Sequence, residues 1–391
     1  MKIKIFSSRN HLISLNKKFQ RNFFVIFYFL GLPKMLFYKK RSESDVQLNW
    51  IFVLIAGAVF LFIVFKAVSL QRESASTSAS VGMKSNFEAA VAGSMTQEDF
   101  SGEIDVGKTG INFSCGQAVF KGISPADLGA AFAPGGISSD SGKVIIKAAQ
   151  WKFPLKAGNL LYLTSPKNSY LLAKNNAQSA VIDEADKRMP DSVDKAIISA
   201  DNVDELAAEI SGRKGKDIRL VFFGKEEAKN HFNLLNNASI IEIEPKIGAA
   251  LNYGNVTFYN KDRSSNSTYY FGDEMMVAAI YSGSIADYEC SAAKAFDRLY
   301  WILNMSQIRL VKMAEEYSSS SSQECYNLLS SSDLNSATVS ILEFMALIYP
   351  LTKNRGLAGI SDENAKKIAD SENSLDSANS LLVRFSCPSI Y

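Results

Sequence analysis

Residues 102–109 read Gly-Glu-Ile-Asp-Val-Gly-Lys-Thr and match the phosphate-binding pattern GxxxxGK(S/T) at every position. In a P-loop, Gly102 and Gly107 would allow backbone amides to surround a phosphate group. Lys108 would reach the outer phosphates, and Thr109 would bind magnesium at the start of a helix that follows a buried strand. Whether the motif is a true P-loop therefore depends on the structure that its flanking segments predict.

The segments on either side of this motif do not have the composition of a P-loop. Residues 95–101 are too polar for a buried strand, and residues 110–116 are broken by glycine and extended rather than helical. We interpret the motif as a turn-rich entry to a domain. The sequence predicts no bound nucleotide and no other cofactor.

Other enzyme signatures do not occur in the sequence. The chain has no GxSxG, HExxH or GxGxxG motif. Its two histidines are His11 and His231, and its four cysteines form no CxxC pair, so we predict no metal site. His231 lies in a predicted helix over residues 225–235, where a lone histidine is most often a surface or boundary residue. We predict no catalytic residue and favour a role other than catalysis.

The elements that would position a site in the middle of the chain are short strands and helices. Between residues 196 and 243 the pattern alternates strand, helix, strand, helix, strand, which is typical of parallel strands joined by right-handed crossovers. We predict a mixed α/β domain over residues 101–283 with this βαβαβ core. Residues 160–173 are predicted to form a hairpin with its turn at 165–168. The predicted strands are 144–146, 160–164, 170–173, 196–199, 218–223, 240–243, 256–259 and 275–281.

In open parallel sheets, ligands collect beyond the carboxyl ends of the strands. In the predicted core these ends carry Ser199, Asp201, Gly224 and Lys225. Asp201 and Lys225 lie on adjacent loops and could hold a small polar ligand, which makes them the candidate binding residues. The alternative is that Asp201 caps the next helix and that Lys225 is solvated.

The last part of the chain has apolar residues at helical spacing. One long helix begins at the capping sequence Ser284–Asp287 and runs towards Tyr317. A second helical stretch, over residues 323–349, is interrupted near 331–333, and a third begins at Ser361. The sequence predicts a C-terminal antiparallel three-helix bundle.

The most apolar stretch, residues 50–65, has sixteen consecutive uncharged positions, or about 24 Å of helix. With its neighbours it can cover a bilayer core of about 30 Å, so we predict one membrane crossing over residues 46–70. Trp50 has the position of an interfacial aromatic residue, and Lys66 can extend to the headgroups. Ten Lys and Arg residues and no acidic residue precede position 42. This charge predicts a cytoplasmic N-terminus and C-terminal domains outside the cell.

Residues 1–34 contain a second apolar stretch that is too short to span a bilayer. A start at Met35 would place a short basic tail directly before the span, so the sequence leaves open whether residues 1–34 are part of the protein. After Arg72, acidic residues outnumber basic ones. The exterior part therefore offers no basic stripe for nucleic acid.

The four cysteines, Cys115, Cys290, Cys325 and Cys387, all follow the predicted span. An even number on the oxidising side of a membrane indicates disulfides, and the alternative is buried free thiols in a cytoplasmic domain. The first bundle helix spans about 45 Å, so Cys290 near its start cannot reach Cys325 beyond its end. An up-down-up bundle returns Cys387 to the end where Cys325 lies. We therefore predict the pairs Cys325–Cys387 and Cys115–Cys290.

Five short stretches, 46–58, 151–154, 160–163, 288–290 and 386–388, occur in an order that resembles a group of archaeal membrane-anchored proteins of unknown function. The resemblance extends over most of the chain and implies a single membrane anchor, but no activity or site. The apolar span is also similar to the N-terminal helix of type IV pilin-like proteins. It lacks the glycine before the apolar run and the early glutamate of that pattern.

These features predict a signal-anchored protein with a structural or binding role at the cell envelope. Its predicted partners are the lipid bilayer and envelope proteins, with no nucleic acid or nucleotide. A type IV pilin-like surface subunit is the first alternative, and an extracellular hydrolase is the second. The predicted segments are a basic cytoplasmic tail (1–45), a transmembrane anchor (46–70), a stalk (71–100), an α/β domain (101–283) and a helical bundle (284–391).

Overall fold

The structure is a computed structural model of the 391-residue chain. It divides into two compact units, residues 1–71 and residues 72–391. The residues that it describes are 44–107, 110–120, 123–137, 142–174, 179–234, 238–246, 252–319, 323–330, 336–352, 357 and 359–390.

The described residues form strands β1 to β14, helices α1 to α8 and two 3-10 helices, numbered here in chain order. The strands are Phe100–Asp105, Ile111–Ser114, Gln117–Phe120, Ala126–Asp127, Ala131–Phe132, Gly136–Ile137, Lys143–Lys152, Lys156–Thr164, Asn168–Lys174, Asp194–Ser199, Asp217–Phe223, Ser239–Pro245, Tyr253–Tyr259 and Ser265–Phe271. The α-helices are Ser44–Met95, Ser179–Arg188, Val203–Gly212, Asp273–Tyr281, Ile285–Ser318, Gln323–Leu329, Ala337–Ile348 and Asp362–Arg384. The 3-10 helices are Glu227–Leu234 and Tyr349–Leu351.

The strands form two four-stranded sheets, in the orders β1-β7-β8-β5 and β4-β3-β2-β6, and one six-stranded sheet in the order β10-β9-β11-β12-β13-β14. In the six-stranded sheet, β10, β9, β11 and β12 are parallel, and β13 and β14 are antiparallel. This confirms a mixed α/β fold with parallel strands connected through helices. The order is not the simple predicted series, because β9 lies between β10 and β11.

The predicted hairpin over residues 160–173 is wrong. Its turn forms, with a 2.9 Å hydrogen bond from the Asn168 amide to the Ser165 carbonyl. However, β8 pairs with β7 and β5, whereas β9 pairs with β10 and β11. Both strands are buried along nearly their whole length, so each has partners other than its sequence neighbour.

The second half of α1 packs into the core of the larger unit. Phe87 and Val91 are buried together with the two four-stranded sheets. The ring of Phe87 lies 6.3 Å from that of Phe113 and 5.7 Å from that of Phe120, measured between centroids. The segment 71–100, predicted as a stalk, thus contains a helical part that belongs to a hydrophobic core.

The two faces of the six-stranded sheet contribute to different cores, as the alternation of side chains along a strand requires. Leu172 and Val221 lie on the face that packs with α2, α4 and the C-terminal helices. Leu220 and Ile240 lie on the other face, against α3 and the first 3-10 helix. The ends of this sheet are therefore the places where its loops can form a site.

Residues 275–281, predicted as a strand, belong to helix α4. All seven side chains are buried. A short run that is apolar at every position has neither a period of two nor a period of 3.6, so its sequence does not separate a buried strand from a buried helix.

The C-terminal helices begin where their capping residues predict. The hydroxyl of Ser284 accepts a hydrogen bond from the Asp287 amide, and that of Ser361 accepts one from the Asn364 amide. In the second helical stretch, α6 ends at Leu329 and α7 begins at Ala337, and the predicted interruption at 331–333 lies outside the described residues. The Phe153 ring contacts both Phe296 of α5 and Phe344 of α7, so these helices share a core with the sheets. The three-helix bundle stays a prediction.

Candidate functional site

One helix among the described residues is long and apolar enough to cross a membrane. It covers Val53–Gln71, with a mean hydropathy of 2.5 and no buried residue. Lys66 lies within this segment and is exposed, and Trp50 lies in α1 just before it. No part of the described chain covers this apolar surface.

Two disulfides are present, and they join the cysteines that the sequence analysis pairs. Cys115 is bonded to Cys290, with Cα atoms 5.1 Å apart, and Cys325 to Cys387, with Cα atoms 5.6 Å apart. The first links the turn between β2 and β3 to the start of α5. The second links the start of α6 to the segment after α8.

The P-loop-like motif begins within β1 and ends before β2. Gly102 is in the middle of β1, and Gly107 lies in a turn where its amide donates to Asp105 Oδ1 (2.8 Å). Lys108 and Thr109 lie outside the described residues. Residues 100–105 are extended, so the predicted turn-rich entry begins later than expected, and a strand, β2, follows the motif at Ile111.

The predicted ligand-binding residues lie at the carboxyl ends of the parallel strands, and both are exposed. No hydrogen bond or ion pair between Asp201 and Lys225 occurs among the described contacts. Asn202, not Asp201, caps α3, because its Oδ1 accepts from the Glu205 amide at 3.1 Å. The structure therefore does not join the two predicted residues into a site.

A buried carboxylate from the middle of β12 lies at the carboxyl end of β11 instead. Glu242 is 6% exposed, and its two oxygens accept hydrogen bonds from the amides of Glu226 and Ala228, both at 2.8 Å. Tyr259 Oη also donates to this carboxylate, at 3.4 Å. Burial raises the pKa of Glu242, and the two amides partly offset that rise. The loop after β11 is thus held by an anion that belongs to the chain itself.

His231 is buried rather than at the surface. Its ring stacks on Phe222 with 4.7 Å between the ring centroids, and burial lowers its pKa. Its Nδ1 atom has no hydrogen-bond partner among the described residues. The prediction of a surface or boundary residue is wrong because one face of the 3-10 helix covers the sheet.

A cleft of about 600 Å³ lies at the opposite end of the parallel strands. Asn168, Asp217 and Ser239, the first residues of β9, β11 and β12, line it. Asn260 and Lys261, which follow β13, complete one side. We call this the amino-end cleft. Its volume lies in the range of small-molecule sites, about 300–1,000 Å³.

Arg219 forms a buried wall of the amino-end cleft. It is 8% exposed, and its Nε atom donates to Ser239 Oγ at 3.2 Å. Its Nη1 atom donates to the carbonyls of Ile280 (3.0 Å) and Ser282, and Nη2 donates to Gly283 (3.4 Å). These carbonyls lie at the end of α4 and just after it. Burial lowers the pKa of Arg219, and no carboxylate among the described residues pairs with it.

Positive charge predominates in the lining of the cleft. It includes three cationic side chains, Lys216, Arg219 and Lys261, and one carboxylate, Asp217. Lys216 Nζ lies 2.7 Å from Asp194 Oδ2, whereas Lys261 is exposed and has no ion pair among the described residues. The described lining contains neither a pair of carboxylates nor a histidine.

Three residues at the two ends of the sheet, Arg219, Lys261 and Glu242, are not predicted from the sequence. A signal for two of them is visible, because Arg219 and Glu242 are charged residues that each lie between apolar neighbours within a strand. A charge in a buried strand needs a partner, which marks the position as structural or functional. Lys261 carries no such signal, since it lies in a polar turn.

No protein-family model matches this chain, and neither a curated protein nor a solved structure matches it. The resemblance to archaeal membrane-anchored proteins stays a prediction. The proposals below therefore depend on the sequence and the structure.

Proposed function

We propose that this protein is anchored in a cell membrane by its apolar helix and that residues 72–391 act outside the cytoplasm as a binding protein of the cell envelope. One observation carries the proposal: an apolar helical segment with no buried residue is continuous with a unit that two disulfides close. Exposed apolar surface of this length is stable in lipid, and structural disulfides persist in oxidising compartments.

The charge distribution supports the orientation. The ten Lys and Arg residues that precede position 42 would keep the N-terminus in the cytoplasm. All four cysteines then lie on the other side of the membrane, where disulfides form.

The amino-end cleft supports binding in preference to catalysis. Its polar and cationic lining can hold a ligand, and the described lining contains neither a histidine nor a pair of carboxylates. Binding by a rigid cleft at a sheet end is a common use of α/β domains.

Epitope accessibility on intact cells tests the proposal. A tag after Tyr391 should be detected on intact cells, whereas a tag before Met35 should be detected only after lysis. Protease added to intact cells should remove the C-terminal tag, and thiol labelling of the denatured protein should require prior reduction. Protection of the C-terminal tag until lysis, or four labelled thiols without reduction, would refute the proposal.

A type IV pilin-like subunit is a second candidate, and the architecture of α1 favours it. The helix has 52 residues, of which the first part is apolar and exposed and the second contributes Phe87 and Val91 to a core with β-sheets. A subunit that assembles through such a helix would bury its apolar half against other copies.

The mature N-terminus distinguishes the two candidates. Mass spectrometry of the membrane-purified protein should find an N-terminus within residues 42–47 if a prepilin-type peptidase cuts the chain. A start at Met1 or Met35 would leave the single-pass anchor and exclude the pilin-like subunit.

A further inference from the structure

The amino-end cleft contains a buried cation for which the described chain provides no anion. Arg219 is permanently charged, and a buried charge without a counter-ion is costly because the protein interior does not replace its hydration. The carbonyls at the end of α4 partly compensate, since a helix C-terminus carries partial negative charge. They carry no net charge, so the site remains positive.

The guanidinium also retains hydrogen-bonding capacity. It has five N–H donors, and its contacts to Ser239, Ile280, Ser282 and Gly283 use four of them. The longest of these contacts, 3.4 Å, is made by Nη2. Nη2 therefore has the most remaining capacity for an oxygen ligand, and a planar guanidinium suits the oxygens of a carboxylate or phosphate.

The rim provides a second cation and neutral polar groups. Lys261 is exposed, lines the same cleft and has no ion pair among the described residues. The side chains of Asn168 and Asn260 also line the cleft. Asn168 Oδ1 already accepts from Ser165, and Asn260 Nδ2 already donates to Ser264, so Asn168 Nδ2 and Asn260 Oδ1 are the atoms suited to hydroxyl groups of a ligand. Charged and neutral polar groups thus converge on one cavity.

We propose that the amino-end cleft binds the carboxylate or phosphate group of an anionic, hydroxyl-bearing ligand, with Arg219 at its buried wall and Lys261 at its rim. The proposal rests on the proposed binding function and specifies the chemistry of the ligand. Binding is measured on the purified protein and topology on cells, so the two proposals fail separately.

Calorimetric titration of the full chain in detergent micelles tests this proposal with three probes of similar size. Glucose 1-phosphate supplies a phosphate, glucuronate supplies a carboxylate, and glucose supplies only hydroxyl groups. We expect binding of at least one anion, weakened by added salt, and no binding of glucose. Binding of the phosphate alone, of the carboxylate alone or of both supports the proposal and identifies the group that is recognised. Binding of neither anion, or equal binding of glucose, would overturn it.

Matched charge reversals on the same sheet locate the site. Lys261→Glu should weaken anion binding by about tenfold or more, which corresponds to about 1.4 kcal/mol. Lys225→Glu is the control, because Lys225 is also an exposed lysine but lies at the carboxyl end of the strands. Equal losses in both variants would indicate nonspecific attraction and refute the site. Both positions are exposed, so neither change should prevent folding.

The substitution Arg219→Lys tests whether the buried guanidinium contributes to anion binding. Lysine keeps the charge but loses the planar donor geometry, so binding should weaken while the protein stays folded by circular dichroism. Unchanged anion affinity in this folded variant would remove Arg219 from the proposal. If the variant does not fold, the comparison of Lys261→Glu with Lys225→Glu still decides.

Discussion

The two ends of the parallel strands contain buried charged residues of opposite sign. At the carboxyl end, Glu242 inserts a carboxylate under the loop after β11 and accepts two backbone hydrogen bonds. At the amino end, Arg219 places a guanidinium beside an open cleft, where its acceptors among the described residues are neutral. The usual ligand-binding end of such a sheet is occupied by the chain's own anion, and the less usual end has a buried cation that no carboxylate of the described residues pairs with.

This difference shows that a buried charged residue can stabilise the fold at one position and line a candidate ligand site at another. Glu242 accepts hydrogen bonds from backbone amides of the loop after β11. Arg219 also stabilises backbone, but it does so at the wall of a cavity that solvent or ligand can enter. The same class of residue thus serves as a structural anchor at one end and as a candidate ligand contact at the other.

The largest effect is expected from Glu242→Ala. The change removes two charge-assisted hydrogen bonds and leaves the amides of Glu226 and Ala228 without their acceptor, which should lower the free energy of unfolding by about 4 kcal/mol. Urea denaturation measures it. Glu244→Ala, on the same strand, is the matched control and should cost less than about 1 kcal/mol, because the Glu244 side chain is 29% exposed and pairs with Lys246 only at 3.8 Å. Similar costs for both variants would contradict the anchoring role.

A somewhat smaller loss of stability is expected from Arg219→Met. Methionine fills part of the space but leaves the carbonyls of Ile280 and Ser282 without their donor, so the free energy of unfolding should fall by about 3 kcal/mol. Arg309→Met, at an exposed position of α5, should change it by less than about 0.5 kcal/mol. If the two variants unfold at the same urea concentration, Arg219 does not fasten the end of α4.

The smallest effect is a pH dependence at Glu242. Burial raises its folded pKa above the ordinary 4.5, so the folded state retains the proton over a pH range in which the unfolded chain has lost it. The stability contribution of this group therefore falls as pH rises from about 4.5 through the folded pKa. Glutamine does not titrate, so the stability of Glu242→Gln relative to the native protein should increase over that window. Urea titrations across pH measure the difference, and a decrease would contradict the burial argument.

Local signals in the sequence predict much of the fold. Of the eight strands predicted from apolar runs bounded by turn residues, seven are strands in the structure. The caps Ser284 and Ser361 mark where α5 and α8 begin. Prediction from sequence fails where contacts with distant parts of the chain determine the structure. Residues 275–281 are apolar at every position, and the partner of β9 is chosen by distant strands.

The candidate site is less predictable than the fold, for a physical reason. The sequence points to Asp201 and Lys225 because loops at the carboxyl ends usually leave a crevice. Glu242 fills that end from the middle of a strand, and Arg219 takes its acceptors from residues that follow it by about sixty positions. Such long-range pairing leaves no pattern in the neighbouring residues.

The disulfides make the molecule tolerant of a broken backbone. Cys115 and Cys290 enclose every strand from β3 to β14 in one covalent loop, so a single cut between residues 116 and 289 leaves the two pieces joined. A cut between residues 326 and 386 has the same result through Cys325–Cys387. A protein exposed to proteases could therefore be nicked in the loops around its cleft and still remain one molecule. A cut between residues 72 and 114, in contrast, would cleave the backbone before either loop and separate the disulfide-closed part from the apolar helix.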